Sequence, residues 1–434
     1  MGRNSSLRFV QSVPPLRDRR EVLVVGAGPA GIAAAIHLHR RGIKVTVVDK
    51  ASFPRDKCCG DGLTTGALRL LDELNFEPTT VASWTECHDV VLRSPTGKLV
   101  QLQLPEGTGQ FAAIAPRKEL DTSLVKHARQ LGIDVIERVS FERILGYDNG
   151  NVQVMLDPLG ERTFSWIVAA DGMWSAVRKS LGANLPDYLG DWHAFRQYAT
   201  NVTGPAKEKL FVWFDEDLLP GYAWSFPIQG GRANVGFGIL RGSKSSPAEM
   251  KSQWQSLLQR PHVRAALGDS AEMVDRVTAW PIPARVTSAT LSAPGVVFIG
   301  DAACVTDSLT GEGIGQALLS GKLAAEAIAC TPLGDLLSAG KHYEQSIRKE
   351  FFADHRMSVV LGKILAHPIG ARGALRAANL TDWTRRNFVR WMFEDEPRSI
   401  ITTPSRWHRK FLKRPGAYAS RGSAYRDSAN RDMV

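Results

Sequence analysis

The stretch Glu21-Val-Leu-Val-Val25-Gly26-Ala-Gly28-Pro-Ala-Gly31 constrains this chain more than any other. A run of β-favouring apolar residues enters a G-x-G-x-x-G turn, an alanine-rich helix runs on to Arg41, and a second strand, Lys44 to Val48, ends in Asp49. Each part has its own physical duty. Gly26 permits the tight turn, Gly28 lets backbone approach a pyrophosphate, Gly31 lets helix and strand pack, and Asp49 can accept hydrogen bonds from a ribose. Strand, turn, helix, second strand and terminal acid in register predict a dinucleotide-binding βαβ unit.

FAD and NAD share this fingerprint, so the choice rests on segments elsewhere. Ala169-Ala-Asp171-Gly172-Met-Trp-Ser175-Ala-Val-Arg178 follows the apolar run FSWIV. Gly300-Asp301-Ala-Ala303 follows GVVFI, and Leu309-Thr-Gly311-Glu-Gly313-Ile314-Gly315 then opens a helix. In that arrangement Asp301 can hold a ribityl hydroxyl, and amides at the helix start can offset charge on a flavin pyrimidine edge. In this order and spacing the three segments resemble the FAD-binding fold of the aromatic-hydroxylase and geranylgeranyl-reductase superfamily.

Two further stretches narrow the resemblance. Phe53-Pro-Arg-Asp-Lys57-Cys58-Cys59-Gly60-Asp61-Gly62-Leu63 and Pro220-Gly221-Tyr222-Ala-Trp224-Ser-Phe226-Pro227, the latter followed by Asn234-Val-Gly236-Phe-Gly238, are similar to the geranylgeranyl reductase family. The resemblance spans roughly residues 21 to 330 and implies a Lys-x-Cys-Gly turn beside the flavin, an aromatic strand walling the substrate pocket, and Arg117 near the cofactor. Cofactor contacts are thus expected at Gly26, Gly28, Gly31, Asp49, Lys50, Cys59, Gly60, Gly62, Arg117, Val139, Asp171, Asp301, Gly313 and Ile314. Substrate contacts are expected at Tyr222, Trp224 and Phe226, which share one strand face by period two. The family members nearest in these motifs reduce isoprenoid double bonds in archaeal-type lipids, chlorophyll precursors or menaquinone side chains. The implied activity is an FAD-dependent saturation of such a chain, with NAD(P)H or a ferredoxin as electron donor and Cys59 as candidate proton donor. A flavin monooxygenase or epoxidase is the alternative, since the same fold activates oxygen. A halogenase fits less well, because Tyr222-Ala-Trp224-Ser-Phe-Pro227 stands where that branch carries Trp-x-Trp-x-x-Ile.

The chain departs from the family at Asp307-Ser308, where Asn-Pro is common, so a looser loop over the flavin is expected. Cys58 and Cys59 are expected as two free thiols. His193 and Arg196 read as a surface pair, and His37 and His39 as packing or surface residues. The expected fold class is α/β: a Rossmann-like FAD-binding domain in pieces (20–80, 108–188 and 282–331), a β-rich substrate domain (81–107 and 189–281), a helical region (332–403) and a basic tail (404–434). Along the helical region Trp383, Phe388, Trp391 and Met392 are expected on one face, with Arg385, Arg386 and Arg390 mostly off it.

Charge settles which partners to expect. Of the net +10, residues 1–20 hold five Arg and one Asp and residues 398–434 nine Lys/Arg and two Asp, leaving residues 21–397 with 40 basic and 41 acidic residues. A near-neutral body has no stripe for duplex nucleic acid, so no nucleic-acid partner is expected. The five cysteines lie outside zinc spacings, and no structural metal is expected. No apolar run reaches the ~18 to 20 residues of a membrane span, so the chain is expected in the cytoplasm or peripherally on a membrane. The segment Arg406-Trp407-His-Arg409-Lys410-Phe411-Leu412-Lys413-Arg414 is the expected membrane contact, since an isoprenoid substrate stays in lipid.

Overall fold

A parallel strand that is apolar on both sides belongs inside a sheet covered twice, and Glu21–Val25 lies there. In the computed structural model, which describes residues 20–103, 111–183, 187–242, 247–393 and 397–404, this strand runs parallel to Lys44–Asp49 on one side and Trp166–Ala169 on the other. Val24 stands beside both Val47 and Val168. The sheet extends to Asp134–Glu137 at one edge and to Val296–Phe298 and the short antiparallel Ser292–Ala293 at the other. Apolar runs far apart in sequence become neighbours here because each is too hydrophobic to occupy an edge.

The first helix, α1 (Pro29–His39), leaves the first strand through the glycine turn; α2 (Thr65–Glu73), α3 (Arg117–Gln130) and α4 (Ala176–Ser180) follow along the chain. Two of the glycines are demanded by packing. Gly26 has φ +106°, and a Cβ there would stand 2.4 Å from the Ala170 carbonyl oxygen. A Cβ on Gly31 would stand 1.9 Å from the Gly26 carbonyl oxygen.

The second large sheet has seven strands in the order Glu272–Ile282, Trp192–Thr200, Arg232–Leu240, Tyr222–Ile228, Leu210–Trp213, Asp89–Arg93 and Leu99–Gln103. Neighbours are antiparallel except Leu210–Trp213 with Asp89–Arg93. Alternation divides its faces. Ala223, Val235 and Phe237 pack under α5 (Pro247–Gln259) and α6 (Pro261–Leu267), with Phe237 stacked on Trp254 at 5.9 Å. Tyr222, Trp224 and Phe226 take the opposite face.

The chain then returns to the first sheet with α7 (Ile314–Ala329), so close to α1 that a Cβ on Gly321 would be 2.4 Å from the Ala30 carbonyl oxygen. Next come α8 (Ser338–Leu365), α9 (Pro368–Ala378) and α10 (Asp382–Met392). Buried Tyr343 anchors α8 by donating to the Phe298 carbonyl at 2.7 Å. The fold class is α/β with a helical C-terminal region.

Two expectations for the C-terminal region change. On α10, Val389 and Phe393 enter the cluster formed with Val90, Val100 and Leu102. That register buries Arg390 and leaves Trp383 exposed, so the aromatic and arginine residues do not separate by face as expected. The loop carrying Asp307 is tied down rather than loose, as its bonds below show. The expected membrane segment Arg406 to Arg414 lies outside the described residues. Among those described, no helix is long and apolar enough to cross a membrane, and no group of three or more His, Cys, Asp or Glu is placed to hold a metal ion.

Candidate functional site

One cavity of about 760 Å³ is lined by both large sheets and by the C-terminal helices. Gly26, Gly28, Asp49, Lys50, Cys59, Gly60, Gly62, Arg117, Val139, Asp171, Tyr222, Trp224, Phe226, Asp301, Gly313 and Ile314 all line it. Gly31 does not; it is packed beneath the turn.

The polar end is built from backbone. Gly28 caps the start of α1 with Pro29 at the first helical position, which leaves the helix's first amides free to meet an anion. A Cβ on Gly28 would meet nothing nearer than Arg55 Nη2 at 3.6 Å, so the space above it is open. Asp49 has structural work as well: Oδ2 accepts from the Ala27 amide and Oδ1 from the Ala51 amide, each at 2.8 Å. Each oxygen keeps a lone pair for a ribose hydroxyl. Asp171 accepts from the Val177 amide of α4 at 3.1 Å through Oδ2, while its buried Oδ1 has no hydrogen-bond partner among the described residues. Open space over a helix N-terminus and an orphaned acceptor beside the cavity are the features that FAD requires, and the residues fit it.

Asp301 lines the cavity within an ion pair. Its Oδ2 accepts from Lys57 Nζ at 2.7 Å and its Oδ1 from Thr306 Oγ1 at 3.3 Å. Burial alone would raise this carboxyl, but the Lys57 ammonium outweighs it and holds the group below the usual carboxylate range.

The cysteine turn is held by a buried polar network. Asp61, at φ +64° and fully buried, accepts from Tyr198 Oη and Asn234 Nδ2 at 2.7 Å each and from the Arg117 amide at 3.1 Å. Asn234 Nδ2 also donates to the Cys59 carbonyl at 2.9 Å, and its Oδ1 accepts from Trp224 Nε1 at 3.0 Å. One amide thus joins the cysteine turn to the aromatic wall. Burial pushes Asp61 up to about 6 against the pull of Arg196, Tyr198 and Asn234. Burial likewise raises the Cys59 thiol, with Arg117 pulling the other way, and pushes Cys58 up to about 12; both are free thiols. Arg196 is not the expected surface residue. It is 2% exposed, bonds Asp56 at 2.9 Å and lies over the Tyr198 ring at 4.3 Å. Nothing near Arg196 in sequence signals this place; only tertiary structure brings Asp56, 140 residues away, to it.

The apolar end begins with Tyr222, Trp224 and Phe226, whose rings follow one another at 6.0 and 6.2 Å. Glycines make room for them: a Cβ on Gly236 would be 2.3 Å from Trp224 Cζ2, and one on Gly62 3.0 Å from Phe226 Cε2. The remaining wall comes from Leu361, Leu375, Phe388 and Trp391 of α8, α9 and α10. Leu361 and Leu375 belong to no motif and were missed; Phe388 and Trp391 were expected on one helix face, but nothing in the sequence placed that face at the cavity.

The loop over the cavity closes against the same helices. Asp307 Oδ1 accepts from the Leu309 and Thr310 amides at 3.0 and 2.7 Å, while Oδ2 meets Ser358 Oγ at 2.7 Å and Arg398 Nη1 at 2.6 Å. Arg398 Nη2 donates to Thr310 Oγ1 at 3.1 Å, and Tyr222 Oη donates to the Thr310 carbonyl. The aspartate that replaces asparagine in the family pattern is therefore satisfied from both sides. Burial would raise its carboxyl, and Arg398 holds it down.

Comparison with known proteins agrees with this geometry. Residues 19–331 match the FAD binding domain family. A menaquinone reductase of Mycolicibacterium smegmatis is 31% identical over 75% of this chain and 80% of its own. A digeranylgeranylglycerophospholipid reductase of Methanosarcina mazei is 29% identical over 80% of this chain and 84% of its own. Among solved structures, a geranylgeranyl bacteriochlorophyll reductase-like protein of Thermoplasma acidophilum superposes with a TM-score of 0.73 at 20% identity, covering 88% of this chain and 98% of that one. A flavin-dependent halogenase superposes with a TM-score of 0.67 at 22% identity over 96% of this chain and 78% of its own, a likeness of fold. With the cradle, the cysteine turn and the aromatic wall around one cavity, the chain belongs to the geranylgeranyl reductase family of FAD-dependent oxidoreductases.

Proposed function

We propose that this protein saturates carbon–carbon double bonds of an isoprenoid chain carried by a lipid, quinone or pigment precursor. The observation that carries the reading is the continuity of one cavity from the dinucleotide cradle to a chamber walled by Tyr222, Trp224, Phe226, Leu375, Phe388 and Trp391. In this reading residues 20–80, 108–188 and 282–331 hold the cofactor, while residues 81–107 and 189–281 face the substrate.

FAD, when bound and reduced, supplies a hydride. The chain's own residues supply the rest. The α1 amides above Gly28 hold the pyrophosphate, Asp49 the ribose, and the Lys57–Asp301 pair with Asp171 the polyol. An unactivated alkene accepts hydride poorly, so the second alkene carbon needs a proton at the same time. Cys59 Sγ is the proposed donor: burial keeps it protonated, and Arg117 lies beside the thiolate left behind. Its reprotonation from solvent closes the proton balance. The aromatic wall excludes water and lays the chain along the reacting centre. Electrons come from NAD(P)H or a ferredoxin, and a chain-bearing lipid places the working enzyme peripherally on a membrane.

The test is anaerobic reoxidation. Protein reduced without oxygen and mixed with a polyprenyl substrate should reoxidise in stopped-flow absorbance and yield a product heavier by one H₂ per double bond. Dependence on O₂, with oxygen gained by the product, overturns the reading in favour of a monooxygenase. Cys59→Ala should slow this reoxidation far more than it slows flavin reduction; equal small effects would make Cys59 a packing residue.

A further inference from the structure

Helix α9 is apolar on two sides. Ala371, Leu375 and Ala378 are buried, and Ala371, Ala374 and Leu375 line the cavity. On the outer side Ile369, Gly373 and Ala377 recur every fourth residue, with Leu380 just beyond the helix end, and all four are exposed. Ile369 at 76% and Leu380 at 73% are the most exposed large hydrophobic side chains among the described residues. Trp383, three residues after Leu380, is 53% exposed, and so is Val360 on the adjoining half of α8. Ile364 takes part in both sides, being 49% exposed while lining the cavity. A water-facing helix beside a cavity has no reason to present such a stripe.

Charge identifies what covers it. From Arg356 to Arg390 the sequence holds seven Lys/Arg and a single acid, Asp382, which pairs with Arg385. Arg356, Lys363, Arg376 and Arg386 are exposed. A second copy docking by a two-fold axis would set this cationic surface against itself. An anionic lipid surface offers phosphates to the cations and acyl chains to the stripe.

We propose that the outer side of α9, with the adjoining ends of α8 and α10, docks on an anionic bilayer, Ile369, Leu380 and Trp383 entering the headgroup boundary. The cavity wall then stands on the membrane, and an isoprenoid passes between lipid and cavity past Ile364 without crossing water. That last clause rests on the substrate reading above; the docking itself does not.

The experiment is vesicle flotation of the full chain with phosphatidylcholine alone and with added phosphatidylglycerol. Wild type should float with the anionic vesicles. Ile369→Glu with Leu380→Glu should weaken that binding by roughly 100-fold, since two exposed apolar anchors become anions, and Lys363→Glu with Arg376→Glu should weaken it too. All of these positions are exposed, so unchanged melting curves should accompany the loss. Retained binding in the apolar double variant overturns the proposal, as does equal flotation with neutral vesicles. A wild-type dimer that the apolar variant abolishes, with vesicle binding intact, assigns the face to self-association instead. Turnover of a detergent-dispersed isoprenoid should be unchanged in both double variants. An enzyme that never reduces isoprenoids yet still needs Ile369 and Leu380 for flotation would sink the substrate reading and leave the docking face standing.

Discussion

The two ends of the cavity are built on different terms. The cradle end is made of backbone: a turn, a helix N-terminus and carboxylates that accept from backbone amides. The chamber end is made of side chains drawn from the seven-stranded sheet and three C-terminal helices, held in place by Asn234 and by the Asp307–Arg398 pair. A backbone site tolerates almost no change at its glycines, whereas a side-chain chamber degrades gradually. Substitutions at six positions test that contrast.

The largest effect is expected at Gly31. With a Cβ already 1.9 Å from a carbonyl oxygen, Gly31→Val forces helix from strand and should give no soluble yellow protein on expression. Gly28→Ala is the control that separates fold from ligand. Its Cβ has room in the protein, so the melting temperature should hold, while FAD binding measured by fluorescence titration weakens roughly 10- to 100-fold, the effect of a forced close contact. If both variants fold and bind normally, the cradle is not backbone-built.

Next comes Arg398→Ala, which strands the buried Asp307 carboxylate. Breaking one side of such a pair costs about 3 to 5 kcal/mol, read from urea unfolding, and the loop over the cavity should lose order with it. Adding Asp307→Asn should recover part of the loss. An undiminished loss in the double variant would mean that packing, not charge, makes Arg398 matter.

Asp61 gives a pH signature. Its folded value of about 6 exceeds the unfolded value of about 3.9, so the native state binds the extra proton between those limits. Stability from this group is then present below about 4 and lost as pH rises towards 6, by about 3 kcal/mol in total. Asn tolerates positive φ, so Asp61→Asn should fold. Its stability relative to wild type should rise across that window and stay level above it. A flat difference would place the Asp61 carboxyl in the ordinary range.

The smallest effect is expected in the chamber. Phe388→Ala removes part of an apolar wall, worth about one factor of ten in KM for an isoprenoid, with FAD content unchanged. Loss of FAD from this variant would mean the two ends are not separable.

What the sequence shows well is what is local. The βαβ unit, the Asp171 and Asp301 turns and the Tyr222-x-Trp224-x-Phe226 strand are each written within one contiguous stretch of chain, and each lines the cavity. Arg196 was misplaced because nothing near it in sequence states that Asp56 and Asp61 will surround it. Asp307 appeared to loosen its loop because Ser358 and Arg398 lie 51 and 91 residues further on. The facing of α10 was misread because helical periodicity assigns an apolar side but does not say which neighbour it meets; Val389 and Phe393 met the substrate sheet and turned Arg390 inward.

By itself, then, the sequence determined the cofactor cradle, since turn geometry and amide direction follow from glycine spacing and from residues that touch their own neighbours. Tertiary structure alone decided the chamber, the lock on its loop and the exposed outer side of α9. Those depend on which surfaces of distant segments are buried against each other, and burial is a property of the packed whole: α9 became two-sided because its inner residues closed a cavity while Ile369 and Leu380 stay exposed among the described residues.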